Sequence, residues 1–381
     1  MAIRITCHHG FDDLLPHQAR WNELARGVPF RRWEWLEPWW RHYGLEAGHP
    51  VASQQLCLLA GWDQEQLVAI APWYLARTWA DGRVIRSLGA DEVCSDYISI
   101  LCQTGHEDAV GAALAAWLTE RAQDDRTEHF GWDLIELESV MAGDRGTGRM
   151  LDHLTEMGNG VYPRAGLSCW RLDLPPRWDD LVGRLSKSHR KQVRRAARKL
   201  AGDKAVLRCA TTVEELEQGF QILVDLHQRR WQSRGEGGCF ARPRFLAFHR
   251  EASARLFASG CVELTWVELD GRPLVAEYNL VGSDVLYAYQ SGIDPDRLEH
   301  DPGRLGIAAM LQWAIGRGLR SYDFLRGDEP YKAHWRAQPR PAWEIRVVPP
   351  RARARLRQGV LAATDSLKTW IKSGLELAGL R

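Results

Sequence analysis

Apolar and polar positions along the chain follow two rhythms. Short runs rich in β-branched and large apolar residues, bounded by Gly, Asp or Asn, predict strands at 56–62, 67–77, 96–102, 132–140 and 167–175. Apolar residues at three-to-four spacing predict helices at 33–43, 106–123 and 147–157. The second half repeats the order. A helix at 178–200 precedes a strand at 205–211, then helices at 213–230 and 243–258. Strands follow at 262–270, 273–282 and 284–294, joined by turns at Asp270-Gly271 and Gly282-Ser283. A helix at 303–318 leads into a strand at 321–327, and a last strand at 342–349 closes the second sheet. Thr212 caps the 213–230 helix, with Glu214 and Glu215 in its positive first turn. The two halves thus share a topology without obvious sequence identity, which predicts an α/β (α+β) fold of mixed sheets with helices on both faces. The expected divisions are 1–165, 166–350 and a tail at 351–381. In the tail, Leu356, Val360, Ala363, Leu367, Ile371 and Leu375 predict an amphipathic helix in which Lys and Arg outnumber acids. It either docks on the body or lies on an anionic membrane surface or a synthase-like partner.

Length agrees with two domains, since 381 residues exceed what one ordinary core holds. With 45% hydrophobic and 26% charged residues the composition is that of a globular protein. A net charge of +1 lacks the basic excess of a dedicated nucleic-acid binder, so nucleic acid is disfavoured as a partner. No run reaches the apolar length of a membrane span and the start carries no signal-like core, so the expected location is the cytoplasm. Eight scattered Cys without a C-x-x-C pair read as free thiols in a reducing compartment. Cys7-His8-His9 lacks the spacing that closes a tetrahedron, so no metal is expected.

Two local features change the picture. Among 18 Trp, the face formed by Trp35, Trp39, Trp40 and Tyr43 is either helix core or, through Trp39, a platform on which substrate stacks. The run LSKSHRKQVRRAARKL, 185–200, holds seven Lys and Arg and no acid. On a helix, Leu181, Leu185, His189, Val193, Ala196 and Leu200 align, which leaves a basic surface. No aromatic residue interleaves the run, so it does not form a single-strand stacking site. It is a solvated or packing face, a contact for a phosphate-bearing small molecule through cations such as Arg190, or a nucleic-acid contact.

The richest segment is PGRLGIAAMLQWAIGRGLRSYDFLRGDEPYKAHW, 302–335. Pro302-Gly303 opens a helix whose first amides lack intrahelical acceptors and favour an anion. Gly306 and Ala308 are small, so a pyrophosphate can approach the backbone closely.

Together with the runs at 29–44 and 185–200, YDFLRGDEPYKAHW resembles the CelD/BcsL-type branch of the GNAT acyltransferases, related to Fem-type aminoacyl transferases. The resemblance spans roughly 20–350 and implies two GNAT-like domains in tandem, with the acyl-donor site in the second and an acceptor or scaffold role for the first. It implies acetyl-CoA or another acyl-CoA as co-substrate, and a link to cellulose or exopolysaccharide biosynthesis. The donor-loop pattern maps onto Gly303, Gly306 and Ala308, with Arg304 beside the slot that Gln or Arg usually fills. Lys332 matches a lysine that Fem-type relatives use to steady negative charge.

Acyl transfer needs a base for the attacking amine and donors for the leaving thiolate. Glu277 in a central strand and Asp323 between Tyr322 and Phe324 are the base candidates; each has a structural alternative, a salt bridge in the sheet or a turn-ordering bond. Arg326 at a strand end can bind an anion or pair with Asp328 or Glu329. Tyr331 can protonate the thiolate or pack. His189, His334 and Trp335 read as packing residues. The reading is an acyltransferase, an N-acetyltransferase foremost, acting on a small or polysaccharide-related acceptor. The alternatives are a non-catalytic accessory of polysaccharide synthesis and a tRNA-dependent aminoacyl transferase.

Overall fold

Strand-forming runs of each half gather into one mixed sheet apiece. The computed structural model describes residues 2–44, 54–123, 131–202, 205–351 and 354. The first half contains β1 (Ile3–His8), α1 (Gln18–Leu24), α2 (Trp33–Trp39), β2 (Gln54–Asp63), β3 (Gln66–Thr78), β4 (Gly82–Ser87) and the short β5 (Leu101–Cys102). It continues through α3 (Glu107–Gln123), β6 (Leu134–Met141), α4 (Arg145–Glu156) and β7 (Gly160–Ala165). The second half runs β8 (Cys169–Asp173), α5 (Trp178–Arg184), α6 (Lys187–Leu200), β9 (Ala205–Cys209), α7 (Val213–Gln232) and α8 (Pro243–Ala258). It ends with β10 (Val262–Leu269), β11 (Arg272–Val281), β12 (Val285–Ile293), α9 (Pro302–Gly316), β13 (Ser321–Arg326), α10 (Pro330–His334), β14 (Gln338–Arg340) and β15 (Ala342–Val348).

The first sheet has the order β1-β2-β3-β4-β6-β15-β7, with β5 on β3, and the second β9-β10-β11-β12-β13-β8-β14. The orders superpose, each with a single parallel pair, β4 with β6 and β12 with β13. The first sheet borrows one strand. β8, which follows β7 in sequence, lies in the second sheet between β13 and β14, and β15 returns from the second half to lie between β6 and β7 of the first. The strand expected to close the second sheet therefore completes the first. Alternation alone cannot choose between two sheets that both present an apolar inner face.

Local chemistry sets the element ends. Thr212 and Glu215 form a reciprocal capping box on α7. Asp270 (φ 52°) and Gly271 (φ 73°) make the two-residue turn between β10 and β11. The single helix expected at 178–200 is broken, because Ser186 takes an extended conformation and caps α6 through His189 N. Arg190 braces that break by donating to Gly183 O at 2.8 Å and Leu185 O at 3.0 Å. The run at 96–102 is irregular over its first five residues, with Tyr97 at φ 61°, and only its last two residues form β5. The helix expected at 351–381 falls outside the described residues apart from Arg351 and Ala354. No helix among the described residues is long and apolar enough to cross a membrane.

The tryptophan-rich helix α2 is core. It wedges between the halves, with Trp35 in edge contact with Phe248 of α8 and Tyr289 of β12. Trp39 is buried and lies parallel to Tyr43 with ring centres 5.6 Å apart, so it serves packing and does not reach the cleft below.

Candidate active site

The parallel pair β12–β13 lasts three residues, Val285–Tyr287 against Ser321–Asp323, and then the strands diverge. A bulge between Tyr278 and Asn279 leaves Tyr289 unmatched on β11, which bends β12 away at this point. The divergence opens a cleft of about 840 Å³ through the second sheet. One lobe lies against the first turn of α9, α10 and the start of α6. The other is walled by the end of α7 and by the 92–96 loop of the first half.

The first turn of α9 is open. Asp301 enters it in a left-handed conformation (φ 57°), makes no side-chain cap and pairs instead with Arg304. Pro302 has no amide proton, so the free donors belong to Gly303 and Arg304, with no acid in that turn. Both residues line the cleft, and a Cβ on Gly303 would meet nothing within 4 Å. Gly306 and Ala308, expected at the same surface, are buried toward the sheet. A Cβ on Gly306 would run into the Glu277 carboxylate and lie 2.8 Å from Val275 Cγ2. Only the first part of the expected loop therefore faces the cleft. The matching helix of the first half, α3, is closed: Glu107 in its first turn accepts from Gly105 N at 2.7 Å.

Three buried polar atoms around this lobe have no partner among the described residues: His189 Nε2, Arg304 Nε and Tyr322 OH. Such groups are normally satisfied, so three at one cleft mark a place built to be filled. His189, read from sequence as a packing residue, does pack edge-on against Trp335 at 4.7 Å, but it also lines the cleft. Burial, with Arg304 and His334 nearby, pushes it down to about 4, so it is neutral at ordinary pH.

Glu277 sits in the central strand β11 with its carboxyl toward the cleft. Burial pushes it up to about 8, and among the described residues it has neither an ion pair nor a hydrogen bond. Tyr331 lines the same lobe. Its phenol is raised by partial burial and by the charges of Glu329 and Glu277, which keeps it protonated.

The other candidates are committed elsewhere. Strand β13 curls at its end, with Leu325 at φ 58° and Gly327 at φ 109°, which turns three carbonyls inward. Lys332 donates to these, Leu325 O at 3.1 Å, Arg326 O at 2.7 Å and Gly327 O at 2.9 Å, and pairs with Glu329. It lines the cleft, yet its protons are engaged. Asp323 is fully buried outside the cleft lining. It accepts from Tyr97 OH, from Arg171 Nε at 2.8 Å and from Leu325 N at 2.8 Å. Arg326 holds Asp96 Oδ1 at 2.7 Å and Ser95 O at 2.7 Å, so it binds the first half and not Asp328 or Glu329. Asp96, Tyr97 and Arg171 carried no sequence signal, because their partners lie more than 150 residues away. Among the described residues, no group of three His, Cys, Asp or Glu side chains is placed to hold a metal ion.

With this geometry in place, comparison with known proteins shows what the chain is similar to. Residues 187–333 match the family described as acetyltransferase (GNAT) domain. Three solved structures share the fold across nearly the whole chain. FemX is 12% identical with a TM-score of 0.61, covering 90% of this chain and 97% of its own. A conserved protein of unknown function from Bacteroides thetaiotaomicron is 10% identical with a TM-score of 0.53, covering 91% of this chain and 100% of its own. The C-terminal domain of a putative lysylphosphatidylglycerol synthetase from Agrobacterium fabrum is 9% identical with a TM-score of 0.50, covering 92% and 96%. No curated protein sequence matches. The fold is that of two GNAT-like halves in tandem, and the matched family falls on the half that carries the cleft.

Proposed function

We propose that the protein is an acyltransferase that moves an acyl group from a CoA thioester to an amine or hydroxyl of a small or glycan-related acceptor. The observation that carries this reading is the open first turn of α9, lying in one cleft with three orphaned polar atoms and an unpartnered, proton-ready Glu277. The residues fit a diphosphate: the amides of Gly303 and Arg304 stand clear, and no side chain covers Gly303. The acyl-CoA supplies the electrophilic carbonyl and the leaving thiolate.

Glu277 takes the proton of the attacking amine or hydroxyl, with a proton affinity matched to mildly alkaline conditions. Tyr331 returns a proton to the departing sulfur. Lys332 fixes the curl of β13 and so shapes the lobe, while Asp323 and Arg326 bind the halves together. The glycan-related acceptor rests on the resemblance to CelD/BcsL-type proteins and on a cleft roomy enough for a sugar. One observation favours a second reading, a donor carried on RNA: the exposed cations Lys187, Lys191, Arg194, Arg195 and Arg198 have no ion pair to a described carboxylate.

Calorimetric titration with acetyl-CoA and longer acyl-CoA tests the proposal. Saturable binding that Gly303→Trp abolishes, with circular dichroism unchanged, is expected. Failure of all of them to bind overturns it. Salt-dependent RNA binding lost on neutralising Arg194, Arg195 and Arg198 would then establish the second reading.

A further inference from the structure

The far lobe of the cleft carries a charge that the protein does not balance. Helix α7 ends at Gln232, and its last turn and the turn beyond present Arg230 and Arg234, four residues apart, to the cleft. Neither is ion-paired to a described carboxylate, whereas their neighbour Arg229 holds Asp294 and Asp296, each at 2.7 Å. A cation at a helix C-terminus is favourable in itself, but Arg229 already fills that role. The acids that face this lobe are taken. Asp96 is held by Arg326 at 2.7 Å, and Glu92 is ion-paired with Arg242 at 3.5 Å, although its Oε1 makes no hydrogen bond among the described residues.

The wall between the two guanidinium groups is rigid. Trp231 donates its indole N–H to His227 Nε2 at 2.9 Å, and the other ring nitrogen of His227 meets Gln228 Oε1 at 3.1 Å. Gln228 in turn donates to Gly237 O at 2.7 Å. Burial pushes His227 down, so it is neutral and adds no third cation. Arg234 lies 5.8 Å from the Trp231 ring centre, close enough for a cation–π contact that orients it.

Resting on the acyl-transfer reading, we infer that the acceptor is an anion: it carries a phosphate or carboxylate that sits between Arg230 and Arg234 while its nucleophile points toward Tyr289 and Glu277. Two unpaired guanidinium groups on a fixed wall recognise such a group by charge-assisted hydrogen bonds, which a neutral acceptor cannot form. The donor lobe is distinct from this one, because α9 packs with Val275 on one face of β11 and α7 with Ala276 and Tyr278 on the other.

The test uses matched pairs that differ only in the anion, glucosamine with glucosamine 6-phosphate and ethanolamine with phosphoethanolamine. CoA binding is measured first, and the pairs are then titrated with CoA saturating so that the donor lobe is filled. The phosphorylated member of each pair should bind about tenfold or more tighter, as charge-assisted bonds imply. That preference should vanish in Arg230→Gln/Arg234→Gln, with CoA affinity and the unfolding midpoint unchanged. Equal binding within both pairs, with CoA still bound, overturns the inference and leaves acyl transfer standing. A preference that survives the double substitution also overturns it. Absence of CoA binding removes the acyl-transfer reading and the inference with it.

Discussion

At the scale of the residue, Glu277 sets the chemistry through its isolation. A carboxyl in a central strand without a partner holds its proton to about pH 8. A base of this kind works only when ionised, so turnover should rise with pH through a limb near that value. Glu277→Gln should remove the limb and lower turnover by about 10²–10⁴-fold, read from the pH profile of kcat/KM. The same shift has a stability consequence of definite sign. The folded pKa lies above the unfolded one, so the stabilisation from protonated Glu277 is complete below about pH 4.5 and lost as pH rises through about 8. Glu277→Gln should therefore flatten the fall of the urea midpoint between those limits. A profile that keeps its alkaline limb in the variant would take the base role from Glu277. The residue type and its strand were legible in the sequence. Its isolation was not, and neither were the distant partners that take Asp323 and Arg326 out of the chemistry.

At the scale of the element, the first turns of α9 hold two glycines of opposite meaning. A Cβ on Gly303 points into open space, so Gly303→Ala should leave stability unchanged or raise it by about 0.5 kcal/mol. Gly306 presses on Val275 and the Glu277 carboxyl, so Gly306→Ala should cost about 1–3 kcal/mol by overpacking and displace the base. Urea denaturation of the two variants separates these outcomes; equal losses would mean that both glycines face the sheet. The sequence pattern placed α9 to within two residues but could not say which face of its first turns meets the sheet. Elements whose ends are fixed by local chemistry were equally legible, such as α7 with its capping box and the turn at Asp270-Gly271. The break at Ser186 was hidden, because Leu185 and His189 fit one continuous apolar stripe across it. The run at 96–102 reads as a strand by composition. Its order comes from side chains instead, Asp96 to Arg326 and Tyr97 to Asp323, and no periodicity announces a contact of that kind.

At the scale of the whole molecule, the crossing strand decides how the halves behave. The order of elements showed the repeat, but the crossing of β15 depends on which apolar face that strand meets last. Three residues separate β7 from β8 and one separates β14 from β15, so the first sheet loses an inner strand if the halves part. A fragment 1–165 would lack β15 between β6 and β7, and a fragment 166–350 would keep β15 with nothing to pair it. Neither should fold alone. Asp323 adds an electrostatic lock: fully buried, it accepts from Arg171 of the neighbouring strand β8 and from Tyr97 of the first half. Arg171→Met would leave that carboxylate buried without its cation, at a cost of about 3–5 kcal/mol. The expected result is one calorimetric transition whose midpoint drops as a unit in Arg171→Met, with the calorimetric and van't Hoff enthalpies in agreement. Two separated transitions, or a soluble folded 1–165 fragment, would show that the crossing does not couple the halves. The cleft would then be a property of the second half alone, although its far wall includes Glu92, Val93 and Asp96 of the first.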